Sequence, residues 1–257
     1  MRFAFLGTSG AVPSRERDTT SLVFEADGVS VLVDCGGSAV QKLLRLGLDP
    51  LELGAVVITH LHADHSYGLP SVVQSLRGLR RVAPLDVVCR PEHVEPLRAL
   101  LALFGLWPRA DTYEVRLSPI ALSVGARAAE FGPLAVTTAP NAHGAMPNFA
   151  VRVQARDART VVYSSDTEPS ENVVTLARGA HVLVHEATSS ARDRGRFGAH
   201  STADEAGAIA AHAGVERLVL THVAAVYHGA LDALVAEAAK RFGGPIEVAR
   251  ELDWYEA

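Results

Sequence analysis

Short apolar runs separated by polar residues occupy the first half of the chain, and their lengths predict strands mixed with helices. Short runs rich in Val, Ile, Leu and Phe are typical of buried strands, whereas apolar residues three and four positions apart favour helices. Asp27-Gly28 separates two such runs and predicts a tight hairpin turn. The pattern predicts strands over 2–6, 21–26, 29–34, 55–59 and 85–89, and helices over 38–46, 66–79 and 92–104.

The second half repeats this order of elements. Its pattern predicts strands over 113–117, 127–131, 134–139, 148–154, 160–164, 181–185, 217–220 and 246–249, with the last of these as the final strand. Helices are predicted over 171–177, 202–213 and 231–242. Strands mixed with helices in both halves favour two β-sheets packed face to face with helices outside. We therefore expect an α/β fold, a four-layer α/β/β/α sandwich, in one domain over 1–257.

Composition is that of an ordinary globular protein. Of the 257 residues, 48% are hydrophobic and 21% are charged, and no apolar run is long enough to span a bilayer. The first residues turn too early for a signal peptide, and Cys35 and Cys89 both follow strand-like runs. We expect reduced cysteines and a cytoplasmic protein. The net charge of −5 gives no general attraction to nucleic acid, although bound cations would make a cleft locally positive.

The densest chemical signal is the run His60-Leu61-His62-Ala63-Asp64-His65, directly after the predicted strand 55–59. His60 and His62 can point the same way along an extended segment, and Asp64 and His65 can face a second point after the chain turns. Imidazole nitrogens and a carboxylate suit Zn²⁺ or Mn²⁺. A hydrated polar loop is the simpler alternative, but the density of ligand-type residues favours two metal ions.

Further candidates follow predicted strands or stand in polar loops. Asp166 and His222 end apolar runs, and His143 lies in a Gly- and Pro-flanked segment, so we expect all three to be metal ligands. Asp166 can bridge two cations because a carboxylate has two oxygens. Asp34 also ends a strand; capping a turn or orienting a metal-bound imidazole is favoured over direct ligation.

His200 precedes a predicted helix and is either a functional group or part of a simple cap. Glu186 is its expected partner, a carboxylate that would stabilise the cationic imidazole. Four of the remaining histidines are expected to be ordinary, at the surface, the core edge or a strand end; they are His93, His181, His185 and His212. His228 follows His222 closely enough to line the cleft, but a role in the site is the less favoured alternative.

Taken together, these segments resemble the metallo-β-lactamase-fold hydrolases, and most of all the ribonuclease Z group of tRNA 3′-processing endonucleases. The resemblance runs nearly end to end. The run His60–His65 specifies only the superfamily, whereas His185-Glu186-Ala187-Thr188 with His200-Ser201-Thr202 is narrower and favours phosphodiester chemistry. The other matching segments are Phe5-Leu6-Gly7-Thr8-Ser9, Pro13-Ser14-Arg15-Glu16-Arg17, Asp34-Cys35-Gly36, His143, Ser165-Asp166-Thr167 and Thr221-His222.

The resemblance implies a role for each of these site residues. One metal ion would be bound by His60, His62 and His143, the other by Asp64, His65 and His222, and Asp166 would bridge them. His200 with Glu186 would stabilise the phosphoryl oxygens and help the leaving group, while Asp34 would be structural. The resemblance also implies a homodimer, to which the apolar segment 97–107 would contribute unless it belongs to the core.

Three features depart from the family pattern. Gly37-Ser38-Ala39 lacks the acidic residue often found there, and the Pro13 loop has Arg15 and Asp18 where Lys and Asn are usual. Only about two strands fit between His143 and Asp166, where related enzymes often carry an arm that grips the tRNA elbow. Even if this chain keeps the family's chemistry, we therefore do not expect it to recognise tRNA on its own.

The sequence predicts a hydrolase of phosphodiesters, either RNA or a small diester, that uses two divalent metal ions. Zn²⁺ is the favoured metal, and Mn²⁺ is the alternative. Asp64, His200 and Glu186 are the expected catalytic residues, with Asp64 accepting a proton from the attacking water. Two alternatives remain at this point. One is hydrolysis of a carboxylic ester, lactone or thioester by the same centre, and the other is a non-catalytic, metal-stabilised binding protein.

Overall fold

A computed structural model describes residues 1–108 and 111–257. Fourteen strands form within these ranges: β1 Arg2–Gly7, β2 Ser21–Ala26, β3 Val29–Val33, β4 Leu53–Val57, β5 Leu85–Cys89, β6 Val115–Pro119, β7 Ala126–Phe131, β8 Leu134–Pro140, β9 Phe149–Ala155, β10 Thr160–Tyr163, β11 Val182–Glu186, β12 Arg217–Thr221, β13 Ile246–Val248 and β14 Trp254–Glu256. The helices are α1 Ala39–Arg45, α2 Ala63–Ser66, α3 Leu69–Gly78, α4 Val94–Leu103, α5 Glu171–Ala177, α6 Ala203–Ala213 and α7 Leu231–Ala238.

The strands form two seven-stranded sheets of matching design, in the orders β14-β1-β2-β3-β4-β5-β6 and β13-β12-β11-β10-β9-β8-β7. Strands β3 to β6 are parallel in the first sheet and β10 to β13 in the second, while the other neighbours pair antiparallel. This repetition places the carboxyl ends of several parallel strands from each half of the chain at one edge.

Three apolar layers hold the sandwich together. The central layer lies between the sheets and contains the large buried rings of Phe3, Phe5, Phe24, Phe149 and Tyr163. A second layer joins the first sheet to α1, α3 and α4, and a third joins the second sheet to α5, α6 and α7. The predicted four-layer α/β/β/α architecture is therefore confirmed.

Two predicted elements differ from the structure. The helix expected over 66–79 is divided into α2 and α3, because Gly68 donates to the Cys35 carbonyl at 2.8 Å and a Cβ there would lie 2.2 Å from that oxygen. The strand near 246–249 is not the last one, since β14 follows it and pairs with β1. The ring centroids of Tyr255 in β14 and of Phe3 lie 5.2 Å apart in a stacked arrangement. Core packing therefore stabilises this strand, which is too short to show a recognisable sequence pattern.

Both cysteines are free and buried. Within the described parts of the chain, no helix combines the length and the apolar character needed to cross a membrane.

Candidate metal centre

The candidate ligands gather where the strands of the two sheets end. Asp34 follows β3, His60 follows β4 after two residues, Asp166 follows β10 and His222 follows β12. The backbone turns sharply at these ends: Asp34, Ser165 and His222 have φ of 58°, 54° and 54°. Left-handed backbone in residues other than glycine costs about 1–3 kcal/mol and is concentrated at functional sites.

The first cluster contains His60, His62, His143 and Asp166. His62 Nδ1 lies 3.1 Å from His60 Nε2 and 3.1 Å from His143 Nε2. Asp166 Oδ2 lies 3.6 Å from His60 Nε2 and 3.9 Å from His143 Nε2. One potential donor atom from each residue thus lies within 4.8 Å of the others.

The second cluster contains Asp64, His65, His222 and the same Asp166. Asp166 Oδ2 lies 3.3 Å from His65 Nε2 and 3.2 Å from His222 Nε2. Asp64 Oδ2 is 3.5 Å from each of those two nitrogens. Asp166 therefore belongs to both clusters, and it is the only residue they share.

The donor atoms fit divalent cations. His65 Nε2, His222 Nε2 and Asp166 Oδ1 are buried and have no hydrogen-bond partner, an arrangement that is unfavourable unless another group binds them. Burial, followed by the charge of His65, lowers the pKa of His60 well below its ordinary value, which favours the neutral ligand form. Burial opposes ionisation of Asp166, but His222 and His65 outweigh it and hold the pKa of this carboxyl well below its ordinary value.

Hydrogen bonds on the far side of the rings aim the imidazoles at this centre. His65 Nδ1 donates to Asp34 Oδ2 at 2.8 Å, and His143 Nδ1 donates to the Ala199 carbonyl at 2.8 Å. His222 Nδ1 lies 2.9 Å from the hydroxyl of Thr188. In each case the remaining ring nitrogen, Nε2, faces the cluster, as outer hydrogen bonds commonly arrange for metal-binding histidines.

Asp34 itself does not enter either cluster. It is fully buried and accepts hydrogen bonds from the backbone N–H of Thr59 at 2.8 Å and from its hydroxyl at 2.9 Å. Its contacts are those of a residue that orients His65, the role favoured from the sequence.

His200 and Glu186 form a pair beside the clusters, in which Glu186 is fully buried and His200 is partly exposed. His200 Nδ1 donates to Glu186 Oε1 at 2.8 Å, and Glu186 also accepts from Thr167 N at 2.7 Å and from the Thr188 hydroxyl at 2.8 Å. Burial lowers the pKa of His200, but the charge of Glu186 outweighs it and raises that pKa to about 9. A cationic imidazole 5.2 Å from the ring of His222 can donate to an anionic ligand in the cleft.

The remaining histidines lie outside both clusters. His93 differs from its prediction, because it is buried in a 3-10 turn, Pro91–His93, where its Nε2 donates to the Pro147 carbonyl at 3.1 Å. His212 is exposed on α6, as expected. His185 donates to the Glu186 carbonyl at 2.7 Å, His181 lies 3.1 Å from the Thr160 hydroxyl, and His228 Nε2 donates to the Val223 carbonyl at 3.0 Å.

Sequence reasoning missed several residues that support the site. Ser165 donates to the Thr59 hydroxyl at 2.8 Å and so links the ends of β10 and β4, and Thr188 joins Glu186 to His222. Their signal was weak but present, since Thr59 and Ser165 directly precede candidate ligands. No sequence signal pointed to Lys42. This residue is buried on α1 and contacts Asp18 at 2.8 Å. The contact ties the Pro13 loop to the fold.

A cleft of about 520 Å³ opens onto Asp64, Asp166, His200 and His222. Its other walls are mostly small or apolar and come from Gly10, Ala11, Val12, Ala63, Phe197, Ala224, Ala225 and Val226. The site can therefore take a ligand with both a charged and an apolar part.

A family model described as the beta-lactamase superfamily domain matches residues 30–223, which include every candidate ligand. The chain belongs to the β-lactamase superfamily. Within the superfamily, it is 32% identical to the ribonuclease Z of Methanothermobacter thermautotrophicus over 98% of this chain and 95% of that protein. This similarity over nearly the full length of both chains places the superfamily member in the ribonuclease Z family.

Solved structures support the same fold for this superfamily member. The metallo-β-lactamase fold protein YhfI of Bacillus subtilis aligns with a TM-score of 0.83 and 24% identity, over 100% of this chain and 98% of that one. The short form of human tRNase Z aligns with a TM-score of 0.81 and 22% identity, over 100% and 99%. The fold is the metallo-β-lactamase fold, and its grouped His and Asp side chains suit a divalent metal ion.

Proposed function

We propose that this protein hydrolyses phosphodiester bonds in RNA with two divalent cations, Zn²⁺ in the first instance and Mn²⁺ as the alternative. Membership of the ribonuclease Z family makes the chain a metal-dependent hydrolase of phosphodiester bonds. The observation that carries the finer proposal is the position of Asp166 in two separate clusters of ligand-type atoms. A single ion in the first cluster would leave His65 Nε2 and His222 Nε2 buried without a partner. A single ion in the second would leave the ligand-type atoms of His60, His62 and His143 without a cation.

The ligand sets follow from the two clusters. His60, His62 and His143 would hold one cation, and Asp64, His65 and His222 the other, with Asp166 reaching both. When bound, such cations polarise phosphoryl oxygens and make water a nucleophile near neutral pH. Neutral imidazoles and ionised carboxylates are the forms that this chemistry needs.

Three other functions fall to the side chains themselves. Asp64 would accept the proton of the attacking water, because it lines the cleft. Cationic His200 would donate to the phosphoryl oxygens, whose negative charge grows in the transition state, and then help the leaving oxygen. Glu186 would keep His200 protonated and correctly oriented through their 2.8 Å contact. A donor of this kind suits phosphoryl transfer, whereas ester or lactone hydrolysis has less need of it.

The substrate proposal is RNA without the tRNA elbow as an anchor. The interval between His143 and Asp166 holds only β9, β10 and the turns around them. The alignment with the archaeal ribonuclease Z runs over 302 positions, whereas this chain has 257 residues, so at least 45 of those positions have no counterpart here. The shorter length of this chain supports an enzyme that selects its RNA through local contacts around the metal centre.

We further propose a cytoplasmic homodimer. Leu97 and Leu101 of α4 are core residues, but Leu103 and Phe104 at the end of this helix are exposed. The segment 97–107 thus divides between the core and the surface, and its exposed side chains support a contact with a second copy. Light scattering after size-exclusion chromatography would measure the dimer, and a monomer at micromolar concentration would contradict it.

The deciding experiment is a substrate screen of the zinc- and manganese-loaded protein. The substrates are a precursor tRNA, unstructured RNA, bis(p-nitrophenyl) phosphate and a lactone panel. We expect cleavage of RNA and of the small diester, and loss of both in the Asp166→Asn variant. Turnover of lactones alone would overturn the proposal. Cleavage of the small diester with no cleavage of either RNA would restrict the proposed activity to small substrates.

A further inference from the structure

The loop 191–199, here called the arginine loop, is basic in an otherwise acidic chain. It carries Arg192, Arg194 and Arg196 against one carboxylate, Asp193, whereas the whole chain has a net charge of −5. The side chains of Arg192 and Arg196 are 79% and 63% exposed. Both contact the same Asp193, so these two guanidinium groups share one carboxylate, whereas Arg194 pairs with Asp204 and Glu205.

The arginine loop is held in place at its base. Ala191 N–H donates to Glu237 Oε2 at 2.9 Å, and the Tyr227 hydroxyl donates to Asp193. Arg194 is engaged with Asp204 at 3.1 Å, at the start of α6. These contacts hold the loop in place, while the guanidinium groups of Arg192 and Arg196 share Asp193 and remain largely exposed. A ligand would therefore meet an ordered loop, which reduces the ordering cost of binding.

Phe197, in the same loop, lies between two cavities that meet at the metal centre. The cleft of about 520 Å³ already described lies on one side, and a cavity of about 430 Å³ lined by His143, Ala145 and Met146 lies on the other. Both cavities are also lined by His62, Phe197 and His200. A ligand whose reacting group sits at the metals can therefore extend in two directions, past Phe197.

A positively charged group also lies close to the ring of Phe197. The guanidinium carbon of Arg196 lies 5.6 Å from the ring centroid, and the ring is only half-buried. Aromatic rings beside arginines bind unpaired nucleic acid, because the ring stacks on a base while the guanidinium pairs with phosphate. Bases in a duplex do not offer a free face of this kind.

We propose that the arginine loop binds an unpaired nucleotide strand, with Phe197 stacking on a base next to the scissile phosphate and with Arg192 and Arg196 neutralising flanking phosphates. This inference rests on the proposed function, because it assigns the strand that the metal centre would cut. The strand enters along one cavity and leaves along the other, so the loop selects single-stranded segments over helices.

The test measures binding, so that its result does not depend on cleavage. Fluorescence anisotropy of a short labelled single-stranded RNA and of the same sequence as a duplex is recorded with the metal-loaded protein. The RNA is checked on a gel to be intact at the end. The variants are Phe197→Ala, Phe197→Leu, Phe197→Tyr and the double variant R192Q/R196Q. Arg127→Gln is the matched control, since Arg127 is 62% exposed and lies on β7, an outer strand away from the cleft.

We expect tighter binding of the single strand than of the duplex, and binding about 10-fold weaker or worse in Phe197→Ala. Phe197→Leu should be weakened nearly as much, because it keeps apolar volume but no aromatic face, whereas Phe197→Tyr should bind normally. R192Q/R196Q should flatten the dependence of log affinity on log salt by about 0.7 for each phosphate that the protein no longer neutralises. Arg127→Gln should leave this slope unchanged.

Several outcomes would overturn the inference. They are equal binding of duplex and single strand, normal binding by Phe197→Leu, or a salt slope in R192Q/R196Q like that of Arg127→Gln. Metal content and melting temperature of each variant exclude misfolding as the cause of weaker binding. Cleavage in the substrate screen without these binding effects would retain the proposed function and discard the role of the loop.

Discussion

At the scale of single residues, the pairing of His200 with Glu186 predicts that His200 acts in catalysis and not in metal binding. His200 belongs to neither proposed ligand set, and its Nδ1 is already engaged with the carboxylate. We predict that His200→Ala retains its metal but loses about 10²–10³ in kcat, because one donor to the phosphoryl oxygens is removed. Elemental analysis and initial rates on bis(p-nitrophenyl) phosphate measure the two quantities.

His212→Ala is the control for this variant, since His212 is exposed on α6 and belongs to neither ligand set. It should match the unmodified protein in both measurements. A parallel loss of metal in His200→Ala would instead make His200 a ligand, together with Glu186 and His222.

Asp34 tests whether a residue outside the clusters controls the metal. Asn is nearly isosteric with Asp and tolerates the left-handed backbone found here, at φ 58°, so Asp34→Asn mainly removes the charge that holds His65. We predict about 10–100-fold weaker metal affinity or activity. Competition with a chelator gives the affinity. Asp86→Asn on β5 is the control, and equal affinities in the two variants would assign the orientation of His65 to packing alone.

At the scale of elements, the contact between α6 and α7 depends on one glycine. A Cβ on Gly207 would lie 2.4 Å from the Ala238 carbonyl oxygen, which belongs to backbone and has little room to move. Alanine normally stabilises a helix interior relative to glycine, but here overpacking should dominate. We predict that Gly207→Ala lowers the free energy of unfolding by about 1–3 kcal/mol.

Gly78→Ala is the matched control for that substitution. Gly78 ends α3 and has nothing within 4 Å of the position of a Cβ. This variant should be neutral or slightly stabilising in urea titrations, because only helix propensity changes. If both variants respond alike, the close approach of α6 and α7 has no energetic weight.

Local patterns were sufficient for most strands, and through them for the positions of Asp34, Asp166 and His222 at strand ends. They could not give the order of strands, which depends on contacts between residues far apart in the chain. β14 was missed because three residues carry no usable periodicity, and its stability comes from Tyr255 packing on Phe3. Lys42 was missed for a different reason, because its partner Asp18 is remote in the sequence. The chemistry was easier to predict than the packing that holds it in place.

At the scale of the whole molecule, the metal centre joins the two halves of the chain. His60 and His65 follow the first sheet, while His143, Asp166 and His222 come from the second. Cations at the two proposed sites would therefore stabilise the folded state against the unfolded chain, by about 2.7 kcal/mol for each site at a free concentration of 100 times Kd. We predict one cooperative thermal transition, which would support the single domain over 1–257 that we propose.

The midpoint of that transition should fall by about 5–10 °C for each ion removed by chelation, and should recover when Zn²⁺ or Mn²⁺ is returned. Differential scanning calorimetry measures both the number of transitions and the shift. Magnesium added at the same concentration is the control, since imidazole ligands bind it poorly. Two separate transitions, or none that responds to metal, would contradict the prediction.

The double membership of Asp166 has a consequence for how the protein should be handled. If both ions are needed around one shared carboxylate, a half-filled population is not half active, because molecules holding a single ion are idle. Under independent filling, specific activity would then grow with the square of fractional occupancy. Batches prepared with slightly different trace-metal content would differ far more in rate than in composition, and any comparison of variants requires each preparation to be assayed at saturating metal.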